Sequence, residues 1–291
     1  MALLETVAVL SRRRGDPTVR VAEGGVTWRT ARTPEGPGTQ RLVSRPDGEI
    51  RCEAWGPGAD WLCSQLPDLL AEDDDASGFQ PVHALIAEQW RRHSHWRPVR
   101  TRLVFDALVP VILEQKVTGL EARRSWQALL SQMGDPAPGP APDGMRAVPA
   151  PERWSALPDW AWHRAGVGPE RMRTIRRVAA VAGSLDRLAY ADGEALERGL
   201  RSIPGIGPWT SALARQQAIG DPDAVPVGDY HLPTVVTYAL SGEEGGDDAR
   251  MLELLEPYAG HRYRALQMIK FSGVTPPRRG PRYAPLDHRT R

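Results

Sequence analysis

The sequence predicts an α+β chain, with a small antiparallel β-rich domain at the N-terminus and a mostly α-helical region after it. Residues 18–55 alternate short β-branched runs with Gly, Pro and Asp turn clusters. From residue 79 onward the apolar residues recur at helical spacing instead. A length of 291 residues with 41% hydrophobic content is enough for about two domains with real cores.

The first domain spans 1–78. Its runs "TVRVA", "VTWRTART", "TQRLVSR" and "IRCEAW" read as strands, separated by Gly-Gly, Pro-Glu-Gly and Pro-Asp-Gly turns. "ADWLCSQLPDLL" reads as a helix covering one face of that sheet, and the acidic "EDDDASG" as a solvated loop closing the unit near Gly78.

The helical region, 79–274, contains "VHALIAEQWRRH", "RLVFDALVPVILEQKVTGLEARRSWQALLSQM", "RMRTIRRVAAVAGSL", "GEALERGLRSI", "PWTSALARQQAI" and "RMLELLEPYAGHRYRALQMIKF". Between the second and third of these, residues 134–151 are so rich in Pro and Ala that an extended surface connection is expected. Residues 275–291 lack apolar periodicity and read as a basic, flexible tail.

Composition narrows the function classes. A formal charge of +1 argues against a long basic arm wrapped around nucleic acid, while leaving room for a local basic face. Lys116 and Lys270 are the only lysines. Cys52 and Cys63, the only cysteines, are too few for a cysteine-ligated zinc or iron-sulfur site and are expected to be reduced structural thiols. The opening apolar run precedes its charges, and no segment approaches 18 uninterrupted apolar residues. A cytoplasmic monomer is expected, with no membrane contact, metal site or obligate protein partner.

"SIPGIGPWT" lies between two predicted helices, with Pro208 at the expected first position of the second. Gly205 and Gly207 can expose bare N–H groups beside that helix start, which suits a phosphate. A Gly-x-Gly turn alone serves equally well as a tight link between packed helices. Downstream, "VPVGDYHLP" places Asp229 and Tyr230 22 and 23 residues after Gly207.

Together, "LRSIPGIGPWTSA" and "VGDYHLP" make the chain resemble the helix-hairpin-helix DNA glycosylase superfamily over residues 101–271. The match is nearest to its alkylpurine branch, the DNA-3-methyladenine glycosylase II type, whose members also carry a small β-rich domain. The resemblance implies that Gly205, Ile206, Gly207 and Thr210 bind a DNA phosphate and that Asp229 is the catalytic carboxylate. It implies Trp209 and Tyr230, with Tyr258 as a third candidate, as walls for a flipped base. Gln115 and Lys116 in "VILEQKVTG" correspond to the segment that fills the gap left by the flipped nucleotide. The branch often has an apolar wedge near Lys116, so these two residues serve equally as hydrogen-bonding groups or as a plain solvated helix end.

The implied activity is excision of alkylated purines from damaged double-stranded DNA, with no required cofactor and room for a monovalent cation at the hairpin. Superfamily members that also cleave the strand carry a lysine two residues after the second hairpin glycine, where this chain has Trp209. No lyase activity is expected. His231 and His261 could act as acids or merely cap and pack, and the lack of a clear acid favours cationic bases as substrates. Two alternatives stay open: a non-catalytic lesion binder, and a glycosylase for deaminated or oxidised bases.

Overall fold

The computed structural model describes residues 3–12 and 15–277. Strands β1 (Val19–Val21), β2 (Thr27–Thr33), β3 (Gly36–Ser44) and β4 (Ile50–Trp55) form an antiparallel sheet in the order β1-β2-β3-β4. Short turns pair each strand with the next, as the turn clusters predict; β2 and β3 pair from Thr27↔Leu42 to Thr33↔Gly36. The Ala59–Ser64 helix packs on β3 and β4. The other face of β2 meets the helical region: Arg32 N–H donates to Asp106 Oδ2 at 2.9 Å, and Arg32 Nε donates to the Val148 carbonyl at 3.0 Å.

The helical region is built on two hydrophobic cores. The first gathers Leu108, Ile112, Leu129, Ile175, Leu200 and Ala214, with Trp126 stacked on Trp154 at a centroid separation of 6.5 Å and Trp162 tilted against Trp154 at 5.7 Å. The second joins the Ala84–His93, Leu232–Ser241, Asp248–Leu255 and Arg262–Ser272 helices through Ile86, Val236, Met251 and Met268. The hairpin belongs to the first core through Ile206, and the residues after the Pro208–Ala218 helix cross to the second. Asp229 lies on that crossing, just before the Leu232–Ser241 helix.

Several elements differ from the sequence expectation. "ADWLCSQLPDLL" forms two short helices, Ala59–Ser64 and Leu66–Leu69, separated at Gln65, because Pro67 lacks the N–H that would continue the first helix and suits the first turn of the second. The acidic stretch is not simply solvated. Asp74 makes two 2.8 Å hydrogen bonds with Arg264, a pair left 7% and 1% exposed at its side chains. Arg264 also lies 5.4 Å from the Trp90 ring centroid and 5.9 Å from that of Trp96, and it donates to the Trp96 carbonyl.

Residues 134–151 are not a free surface connection. Asp135–Pro136 pairs antiparallel with Arg146–Ala147, and Met145, Ala147 and Val148 are buried. Thr30 Oγ1 donates to the Arg146 carbonyl at 2.6 Å, joining this segment to β2. Its few apolar side chains, sparse among prolines, are enough to seat it. The Leu232–Ser241 helix is an element that the helical pattern does not reveal, since Thr234, Val235, Val236 and Thr237 read equally as strand. The basic tail lies outside the described residues from 278 onward.

Candidate active site

The Gly193–Arg201 helix, a turn, and the Pro208–Ala218 helix form the expected helical hairpin. The chain reverses at Gly205, whose φ is +101°, while Ile203 O accepts from Ile206 N–H at 3.0 Å. A Cβ at Gly205 would sit 2.1 Å from Thr174 Oγ1, so packing and backbone angle both demand glycine. Gly207 is different. Its φ of −94° suits any residue, and a Cβ there would meet nothing within 4 Å. No contact among the described residues calls for glycine at 207, but a ligand approaching the helix N-terminus would. Pro208 opens the helix without an N–H to satisfy, leaving the first donors to face outward.

Two side chains brace the turn. Gln115 Nε2 donates to the Gly205 carbonyl at 3.0 Å and to Thr210 Oγ1 at 2.9 Å, while Arg177 donates to the Pro204 carbonyl at 3.1 Å. Both amide hydrogens of Gln115 are thus spent within the protein, which leaves its Oε1 as an acceptor. Lys116, next to it, is exposed and holds φ at +54°, uncommon for a residue with a side chain. Arg171 supports this tip from below by donating to the Leu113 carbonyl at 2.9 Å. Thr210 is buried and faces Gln115.

A cation on the hairpin would depend on main-chain carbonyls, because no cluster of three or more His, Cys, Asp and Glu among the described residues could hold a metal ion. Of these, the Pro204 and Gly205 carbonyls each already accept one hydrogen bond, from Arg177 and Gln115, and keep a second lone pair.

Asp229 is half-buried and held from three directions. Its Oδ1 accepts from the N–H groups of His231 and Leu232 at 2.8 and 2.9 Å, and its Oδ2 accepts from Trp209 Nε1 at 2.8 Å. The carboxylate therefore caps the Leu232–Ser241 helix and is also drawn toward the hairpin. One residue earlier, Gly228 turns at φ +89° and donates its N–H to Asp248, at 3.0 Å to Oδ2 and 3.2 Å to Oδ1. Asp248, which the sequence reading passes over, fixes the approach to Asp229. Its only signal in the sequence is a carboxylate in the first turn of the next helix.

The structure thus brings together Gly205, Ile206, Gly207, Trp209, Thr210, Gln115 and Asp229. Trp209 uses its indole N–H on Asp229, so the ring has a positioning task as well as a face. Tyr230 is 83% exposed, its ring 4.8 Å from that of His231 in an edge arrangement. Tyr258 stands elsewhere. It is 2% exposed in the second helical core, its hydroxyl accepting from His83 N–H at 3.1 Å and meeting His83 Nδ1 at 2.6 Å. His261 packs edge-on against Phe79 in the same region.

No protein-family model matches the chain. Among curated proteins it is 28% identical over 228 residues to a probable bifunctional transcriptional activator/DNA repair enzyme AlkA of Mycobacterium tuberculosis (strain CDC 1551 / Oshkosh). That match takes in 74% of this chain but only 44% of the relative's length. Among solved structures, a 3-methyladenine DNA-glycosylase from Archaeoglobus fulgidus superposes with a TM-score of 0.74 at 16% identity, over 94% of this chain and 95% of that one. An 8-oxoguanine glycosylase/lyase from Clostridium acetobutylicum, in complex with double-stranded DNA, follows at a TM-score of 0.69 and 11% identity, over 92% and 89%. No described helix is long and apolar enough to cross a membrane.

Proposed function

We propose that this chain, which has the fold of the helix-hairpin-helix DNA glycosylases, is a monofunctional glycosylase that excises alkylated purines of the 3-methyladenine or 7-methylguanine type from double-stranded DNA in base excision repair. The observation that carries the reading is the Asp229 carboxylate, fixed by Trp209 and by the start of a helix at the crossing between two helical cores. Breaking an N-glycosidic bond develops positive charge on the sugar, and a pre-oriented carboxylate stabilises that charge without reorganising. An ionised carboxylate has about four acceptor positions. Three are taken by protein N–H groups, leaving one to align water or face the sugar.

The hairpin supplies the grip. The N–H groups of Gly205 and Gly207, at the start of the Pro208–Ala218 helix, bind a backbone phosphate, Gly207 leaves room for it, and Ile206, whose N–H is given to the Ile203 carbonyl, holds the turn in shape. Extruding the nucleotide costs a few kcal/mol. Trp209 and Tyr230 offer aromatic faces to the extruded base, and a cationic alkylpurine gains roughly 0.5–2 kcal/mol from such a face. With Trp209 in the place of a Schiff-base lysine, the reaction ends at an abasic site. DNA is the partner, no cofactor is needed, and the protein acts as a cytoplasmic monomer.

The test uses duplexes carrying one methylated, deaminated or oxidised base, with free base and strand breaks assayed separately and borohydride added to trap any imine. Wild type releases methylated purines, leaves the strand intact until alkali is added, and is not trapped. Asp229→Asn binds the duplex but loses release by about 100-fold to 1,000-fold. Unchanged release by that variant removes Asp229 from the chemistry. Wild-type binding without release of any base makes the protein a lesion binder, and release confined to deaminated or oxidised bases moves the substrate class.

A further inference from the structure

We propose that Cys52 and Cys63 form a modification site remote from the hairpin, closing reversibly into an intramolecular disulfide that staples the Ala59–Ser64 helix to β4. The two Sγ atoms lie 3.8 Å apart, on elements that pack directly against each other. Cys52 pairs across the sheet with Leu42, and Gln40 Nε2 donates to its sulfur at 3.4 Å, holding it in place. A disulfide needs a separation of about 2.05 Å. Together the sulfurs must approach by less than 2 Å, a change that side-chain rotation supplies.

The two thiols differ in access, which sets the order of events. Cys63 is exposed and Cys52 half-buried, and burial pushes the Cys52 thiol up to about 11. Cys63 is therefore the sulfur that meets an oxidant. With a small-molecule disulfide such as oxidised glutathione, the Cys63 thiolate attacks one sulfur and releases a thiolate, leaving a mixed disulfide. The Cys52 sulfur then attacks Cys63, its proton passing to the second departing thiolate. Two protein thiols and one disulfide become one protein disulfide and two small thiols, so atoms and electrons balance.

The full chain is equilibrated in buffers of graded reduced-to-oxidised glutathione ratio, quenched with N-ethylmaleimide and weighed intact. The expected product is a monomer lighter by two hydrogens with neither cysteine alkylated. Cleavage after Glu53 then leaves the two cysteine-bearing fragments joined until reductant is added. Cys52→Ser retains glutathione on Cys63, and Cys63→Ser takes up none. Closing so short a loop raises the folding equilibrium constant by about 100-fold in the bridged form. Alkylation of both cysteines at every ratio, glutathione persisting on Cys63 of the wild type, or a disulfide-linked dimer each overturns the proposal.

Discussion

Trp209 Nε1 donates to Asp229 Oδ2 at 2.8 Å, joining the first turn of the helix after the hairpin to a carboxylate 20 residues further along. The element proposed to hold DNA and the residue proposed to act on it are therefore not independent. Trp209→Phe keeps an aromatic face but deletes the donor. Single-turnover release of a methylated purine should slow by about 10-fold, the equivalent of one hydrogen bond, while affinity for the duplex is unchanged. Equal rates for the two proteins would reduce Trp209 to a packing role.

The two hairpin glycines should separate stability from binding. Gly205→Ala meets Thr174 Oγ1 and an unfavourable φ, and costs about 1–3 kcal/mol in urea unfolding. Gly207→Ala should fold as well as the wild type, because its Cβ meets nothing, yet bind duplex DNA more weakly by fluorescence anisotropy. A Gly207→Ala protein with unaltered affinity would argue against phosphate approach at that point.

Lys116 holds a left-handed backbone conformation that glycine adopts more readily. Lys116→Gly is expected to gain about 1 kcal/mol of stability. If its ammonium reaches a phosphate, the same variant lowers the slope of log affinity against log salt by about 1. The two readouts come from denaturation and from a salt titration of binding.

Asp106 lines a small cavity beneath the sheet with Arg29 and Thr30. Burial pushes its carboxyl up to about 7, while the Arg32 N–H and the charges of Arg29 and Arg32 pull the other way. Its folded-state value is thus raised above its unfolded one, so between about pH 4 and 7 the folded state binds more protons. Its contribution to stability is fully present below pH 4 and declines as pH rises through that window. Asp106→Asn, which still accepts from Arg32 N–H, should remove a pH-dependent loss of roughly 2–4 kcal/mol across that range. The measurement is the difference between the two proteins' urea midpoints from pH 4 to 8, and parallel curves would contradict it.

Arg264→Ala should be the most damaging of these changes. Removing one partner of a buried pair leaves Asp74 uncompensated and costs about 3–5 kcal/mol. Chemical denaturation checks this, with Asp74→Asn/Arg264→Met as the companion that restores part of the loss.

The strands, the helical hairpin and Asp229 are legible in the sequence because their signals are local. Turn residues, Pro208 at a helix start and the spacing from Gly207 to Asp229 carry their meaning within a few dozen residues. Asp74 reads as solvated because the residue that buries it, Arg264, lies far along the chain. Tyr258 shows the same limit. Its aromatic type suits a base-binding wall, but its partner is His83, which no local pattern connects to it. The seating of residues 134–151 depends on β2, and Thr234 to Thr237 become helical because Val236 and Thr237 are buried. In each case a distant surface decides what the local pattern leaves open.

The 190-residue span from Asp74 to Arg264 also bears on how the protein is made. During synthesis the first sheet can pair as soon as it emerges, but Asp74 in its acidic loop does not meet Arg264 until the Arg262–Ser272 helix has left the ribosome. A nascent chain ending before Arg264 should therefore hold that loop open and accessible to protease, with protection arriving in one late step. Emergence of the Arg262–Ser272 helix, rather than of the sheet it serves, would then mark the moment at which that loop is locked.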